Sequence, residues 1–320
     1  MDRRAFILSS LATLSASKVR SMPLIQKYKW ILRKSDIGLC ARDCGMGFEF
    51  NGRLWLSNGY TPGNIPIRDL AVSHNGFNWS VLNNATPYQP YAAICPLGDF
   101  VFVYDGIMRR TTNGVAFQTV NTTNNPPFEP EAPMFEVGGK LHIIRTGFTD
   151  TFDPDTGLFS TVPAPATSTK GHARIAFGGK IFVIGGADPV ANNPAESGYP
   201  GMTSLNSVWE SATPEDPLSW TKSFAPFIPR MWPGVGVHDG HLYVTGGYDN
   251  FVGGTNSLTN RNDTFRTKDG ISWERVETTE DYTSRHAPTL YSRNGRLILV
   301  CGNTNMNGSI QRDAWELIPA

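Results

Sequence analysis

Charge of one sign is missing from this chain. Its 320 residues carry 28 basic and 28 acidic side chains, and charged residues make up only 18% of the total. That balance gives no overall attraction to nucleic acid or to an anionic membrane surface. Cysteine is scarce as well, with Cys40, Cys44, Cys95 and Cys301 only. No second Cys/His pair at ligand spacing accompanies Cys40 and Cys44, which argues against a zinc site. Disulfide pairing and free buried thiols both remain open, since four cysteines allow three pairings. There is no phosphate-binding glycine loop, no His-Glu-x-x-His and no serine nucleophile elbow. Neither a metal nor a cofactor is expected. Long amphipathic helical patterns are absent too.

Apolar runs are short. The one at the N-terminus, Ala5 to Leu14, follows the paired Arg3 and Arg4 and precedes the small residues Ser15 to Ser17. It is too short to span a bilayer comfortably, and the order of charge, apolar core and small residues fits an export signal. Paired arginines also match the twin-arginine form of such signals in bacteria. Residues 1–17 therefore read as an export signal, 18–26 as a linker and 27–320 as the folded domain. The expected location is periplasmic or secreted, with no stable membrane insertion.

Glycine (32) and proline (23) are plentiful by contrast. Turn formers between short apolar runs indicate an all-β chain. "DGISW", ending at Trp273, is a tight turn with an aromatic placed after two further residues. It has relatives in "NGFNW" ending at Trp79, "NGVAF" at Phe117, "DTGLF" at Phe159 and "EDPLSW" at Trp220, while "KYKW" supplies Trp30 without the turn. These aromatics lie roughly 40 to 60 residues apart, a propeller-blade period.

A second pattern fills each interval: apolar strand, Gly-containing hairpin, alternating strand, Gly. Examples are "FEFNGRLWLSNG", "AFGGKIFVIGG", "VHDGHLYVTGG" and "YSRNGRLILVCG". A third, "RDLAVSHNG", "NSVWESATP", "NDTFRTKDG" or "RDAWEL", precedes the aromatic turn. Each repeat thus has four strands, a to d, with the aromatic on d. The chain starts on a d-like strand and ends on a c-like one. The predicted fold is a six-bladed β-propeller of four-stranded blades, whose sixth blade is completed by the N-terminal strand. Such closure removes open sheet edges.

The glycine pairs Gly185-Gly186 and Gly246-Gly247, followed by Trp209 or Phe265 and then Trp220 or Trp273, resemble Kelch repeats. The overall order resembles bacterial Kelch-type propellers of the galactose-oxidase-like class. Two blades, around "VFVYDG" and "HIIRTG", lack the double glycine and are offset by one residue.

Kelch propellers usually engage ligands at one mouth of the central channel. Arg42, Arg230 and Arg285 each stand twelve residues before the leucine of strand b, on contiguous blades. Three guanidinium groups on one arc could clamp a carboxylate or sulfate. Across the channel, Tyr88 or Tyr91 and Glu129 or Glu131 would face them. The same arginine position also suits a tie between strand a and a neighbouring loop. Trp232, in "PRMWPG", could stack on a sugar face or pack in the core. Two insertions, carrying Tyr199, Tyr248 and Phe251, suggest a binding rim. The candidate ligand-binding residues are Arg42, Arg230, Arg285, Trp232, Tyr88 and Glu129.

The expected partner is a carbohydrate or acidic small molecule, or another protein, and not nucleic acid. A binding module is the leading reading. The resemblance implies an alternative, a sugar-active enzyme such as a Kelch-type sialic-acid mutarotase. A copper oxidase or sialidase fits the residues less well.

Overall fold

The computed structural model describes residues 26–63, 65–165, 170–189, 202–249, 259–304 and 309–320. The export-signal segment, Tyr199 and Phe251 lie outside them. The described residues form an all-β, six-bladed propeller. Blade one holds Met46–Phe50, Arg53–Ser57, Leu70–Ser73 and Trp79–Asn83. Blade two holds Ala93–Leu97, Phe100–Tyr104, Met108–Thr111 and Gln118–Thr119; blade three holds Met134–Val137, Lys140–Arg145, Phe148–Asp153 and Leu158–Pro163. Blade four runs from Lys170–Phe177 through Lys180–Pro189 and Ser207–Ser211 to Thr221–Phe224, and Met202–Ser204 pairs with the end of its second strand. Blade five comprises Gly234–His238, His241–Thr245, Thr264–Thr267 and Trp273–Val276. Blade six comprises Thr289–Arg293, Arg296–Val300, Ala314–Pro319 and the N-terminal Tyr28–Lys34.

Ring closure follows the sequence reading. Trp30 lies opposite Leu317 and Leu32 opposite Trp315 in an antiparallel pair. Trp30 is buried, with its ring edge-on to Tyr282 at 5.2 Å.

The repeated aromatic turn has a shared mechanism. In blade five Asp269 Oδ1 accepts the N–H groups of Ile271 and Ser272, and Thr267 Oγ1 accepts that of Gly270. Asn75 with Ser73, and Asn113 with Thr111, repeat the arrangement. The glycine has two reasons to be there. Its φ is +78° at Gly270, and a Cβ on it would stand 2.2 Å from Phe182 of the preceding blade. The c–d corner therefore tucks into the preceding sheet, where no side chain fits.

The double glycine is likewise a pair of left-handed residues, and the second is glycine in all four of these blades. Asn58-Gly59 and Cys301-Gly302 adopt the same positive φ as Gly185-Gly186 and Gly246-Gly247. At the corresponding b–c corners of blades two and three a single residue, Gly106 or Gly147, is left-handed, which accounts for the one-residue offset there.

Candidate functional site: a collar at the channel entrance

Strand a of every blade pairs on one side only, with strand b. Its other edge faces the axis, where neighbouring a strands enclose a cavity of about 630 Å³. Backbone N–H and C=O groups on that edge are available to water or to a ligand rich in hydroxyls.

The three arginines hold equivalent positions, as their spacing predicts, but their guanidinium groups do not converge on an anion. All three are fully buried, and none lines the channel. Arg42 donates to both oxygens of Asp69, at 2.7 and 2.7 Å. Arg230 does the same with Asp263 and Arg285 with Asp313. A further Nη1–H from each reaches the backbone carbonyl sixteen residues on: Asn58, Gly246 and Cys301. Their main chains hold neighbouring blades, since Gly186, Gly247 and Gly302 donate N–H to the carbonyls of Arg230, Arg285 and Arg42. Each arginine thus locks its own b–c corner and staples the preceding blade.

Tyr88 is also inside. Its hydroxyl pairs with Ser57 at 2.9 Å, and burial pushes its pKa up to about 12. Glu129 spends its carboxylate on the N–H and hydroxyl of Thr146. Tyr248, from the fifth-blade insertion, is buried edge-on to His286 rather than exposed on a rim. All four cysteines are unpaired.

Of the six candidates only Trp232 stands at the channel, and it does so as one of a ring. Two residues beyond each arginine-equivalent position, every blade places a left-handed residue: Cys44, Tyr91, Glu131, Gly171, Trp232 and Ala287, with φ between 48° and 66°. For the five that are not glycine this costs on the order of 1 kcal/mol each, and such strain concentrates at functional sites. Their backbones join into a collar. Ala287 donates to Trp232 O at 2.7 Å, Cys44 to Ala287 O at 3.2 Å and Glu131 to Tyr91 O at 3.3 Å, while Trp232 donates to Gly171 O.

At the joint between blades three and four, side chains replace the backbone bond. Glu131 accepts from the Gly171 N–H, and Arg174 donates to the Glu131 carbonyl. Glu131 and Trp232, with Cys44, Tyr91 and His172, line a cavity of about 170 Å³ that adjoins the channel. Burial raises the Glu131 carboxyl above the ordinary range, opposed by the Arg174 charge. Burial likewise raises the Tyr91 phenol and lowers the Arg174 guanidinium, which still stays charged. His172 Nε2 is buried with no hydrogen-bond partner among the described residues. No group of three His, Cys, Asp or Glu among those residues could hold a metal ion.

The sequence reading named Tyr91 and Glu131 only as alternatives to Tyr88 and Glu129. It missed Arg174. The signal for the collar was Gly171, the one member whose residue type betrays its φ.

Ring and collar together define the class: a six-bladed β-propeller with a polar collar on its channel. No family model and no curated protein matches the sequence. Among solved structures, that of YjhT is similar, with a TM-score of 0.64 and 14% identity over 88% of this chain and 95% of that one. At that identity the likeness establishes the fold alone.

Proposed function

We propose that the protein is an exported, Kelch-like binding module that seats a carbohydrate or acidic small molecule in the collar at the channel mouth. The observation that carries this reading is the collar cavity itself. One side presents the Trp232 indole, a flat wall of the kind sugar rings stack on. The other sides present Glu131, the Tyr91 phenol and His172, a few convergent polar groups in a preformed hollow. The unpaired inner edges of the a strands continue the hydrogen-bonding surface into the channel.

The second reading is a sugar-active enzyme such as a sialic-acid mutarotase. It is favoured by one feature, the Glu131 carboxyl raised toward neutral pH by burial, as a general acid–base group needs. Calorimetric titration with N-acetylneuraminate, galacturonate and galactose tests the binding reading. At least one should bind the wild type, and Trp232→Ala and Glu131→Gln should weaken it about tenfold or more while the melting curve is kept. Unchanged affinity in both variants would remove the collar as the seat. An NMR exchange measurement of anomer interconversion decides for or against the enzymatic reading.

A further inference from the structure

His172 and Arg174 stand two apart on the innermost strand of blade four, a spacing that puts both side chains on one face. His172 lines both the collar cavity and the channel. Arg174 Nη2 lies 3.5 Å from His172 Nδ1, while its Nη1 donates to the Glu131 carbonyl. A guanidinium has five donors and no acceptor. The contact with Nδ1 therefore has one possible sense: Arg174 donates and Nδ1 accepts. In the neutral imidazole the proton must then sit on Nε2.

We infer that Arg174 is a positioning residue that holds His172 as the Nε2–H tautomer, so that the collar offers an N–H donor to a ligand oxygen. The surroundings agree with this role. Nε2 is buried without a hydrogen-bond partner, an arrangement that is costly unless something completes it. The Tyr91 hydroxyl stands at the same cavity, beside the Cys44 thiol. Glu131, the acceptor in the cavity, is already engaged by the Gly171 N–H. The unused donor is thus His172 Nε2–H. A ligand is selected for acceptor oxygens, of a carboxylate or carbonyl, rather than for donors. This specificity rests on the proposed seating of a small molecule in the collar; the tautomer does not.

The tautomer is read directly from the ring nitrogen shifts of His172 in ¹⁵N-histidine-labelled protein at about pH 8, above the ordinary imidazole value. The wild type without ligand should show the Nε2–H pattern. Arg174→Lys, which keeps a side chain that only donates, should preserve it. Arg174→Met should release it toward a mixture. Nδ1–H in the wild type, or the same pattern in Arg174→Met as in the wild type, would overturn the inference, and the wild-type spectrum decides even where a variant folds poorly.

A second arm adds galacturonate or galactose to the labelled protein. A shift of the Nε2 resonance with galacturonate and a weaker one with galactose supports donor selection. If the tautomer is Nε2–H but neither sugar moves it, the lock by Arg174 stands and the sugar reading of the collar falls.

Discussion

The guanidinium of Arg285 grips both carboxylate oxygens of Asp313, at 2.6 and 3.0 Å, across 28 residues of chain. Asp313 also accepts from the Trp315 indole, 2.7 Å away, so the pair ties the entry of strand a to the entry of strand c. Removing one partner strands the other charge inside the protein. Arg285→Ala should therefore cost about 3–5 kcal/mol in urea unfolding, whereas Arg285→Met with Asp313→Leu should cost clearly less. Single variants within about 0.5 kcal/mol of the wild type would show that the buried pair is dispensable.

Closure of the ring depends on Tyr28–Lys34. Deleting residues through Leu32 should expose the outer edge of blade six and the Tyr282 pocket, and lower the melting temperature of the whole domain rather than of one blade. Trp30→Ala alone should cost about 3–5 kcal/mol. A truncated protein that melts like the full chain would disprove this role.

His286 gives the fold an acid-side weakness. Burial pushes its pKa from 6.5 down to about 4, and its Nδ1 bonds Asn260 at 2.8 Å. Between those values the unfolded chain takes up a proton that the folded one refuses. Stability is thus fully present above about pH 6.5 and is lost as pH falls toward 4, by at most about 3 kcal/mol. Denaturant titrations across that window should show the slope in the wild type and a flatter one in His286→Gln. Equal slopes would place the proton uptake elsewhere.

Export is read from residues 1–17. A reporter fused after them should reach the periplasm of a bacterial host, and changing Arg3 and Arg4 to Lys should block it if the twin-arginine route operates. Retention of the unaltered fusion in the cytoplasm would contradict export itself.

Most of the fold was legible because a propeller repeats its constraints. The Asn-Gly and Asp-Gly corners need both a left-handed residue and space beside the preceding blade, so the sequence records them in blades one, two and five. The d strand at the N-terminus was visible as a repeat out of phase. The arginine pattern was seen, but its partners were not taken into account, although Asp69, Asp263 and Asp313 stand at one place in the third motif. Reading the arginines with those carboxylates points to ties rather than to a clamp. The collar was harder. A left-handed φ at Cys44, Tyr91, Glu131, Trp232 and Ala287 is imposed by packing of the ring, not by residue type, and only Gly171 advertises it. The residues that matter there come from strand entries whose register in blades two and three turns on a single missing left-handed residue.

We place the ligand in the collar, and not at the arginine positions or the outer loops. Crystals soaked in N-acetylneuraminate or galacturonate test it most directly. Density for one sugar ring is expected in the hollow of about 170 Å³, flat against Trp232 and within hydrogen-bonding reach of His172 or Tyr91. Density seated elsewhere, with the collar left to water while the same sugar binds in solution, would contradict it.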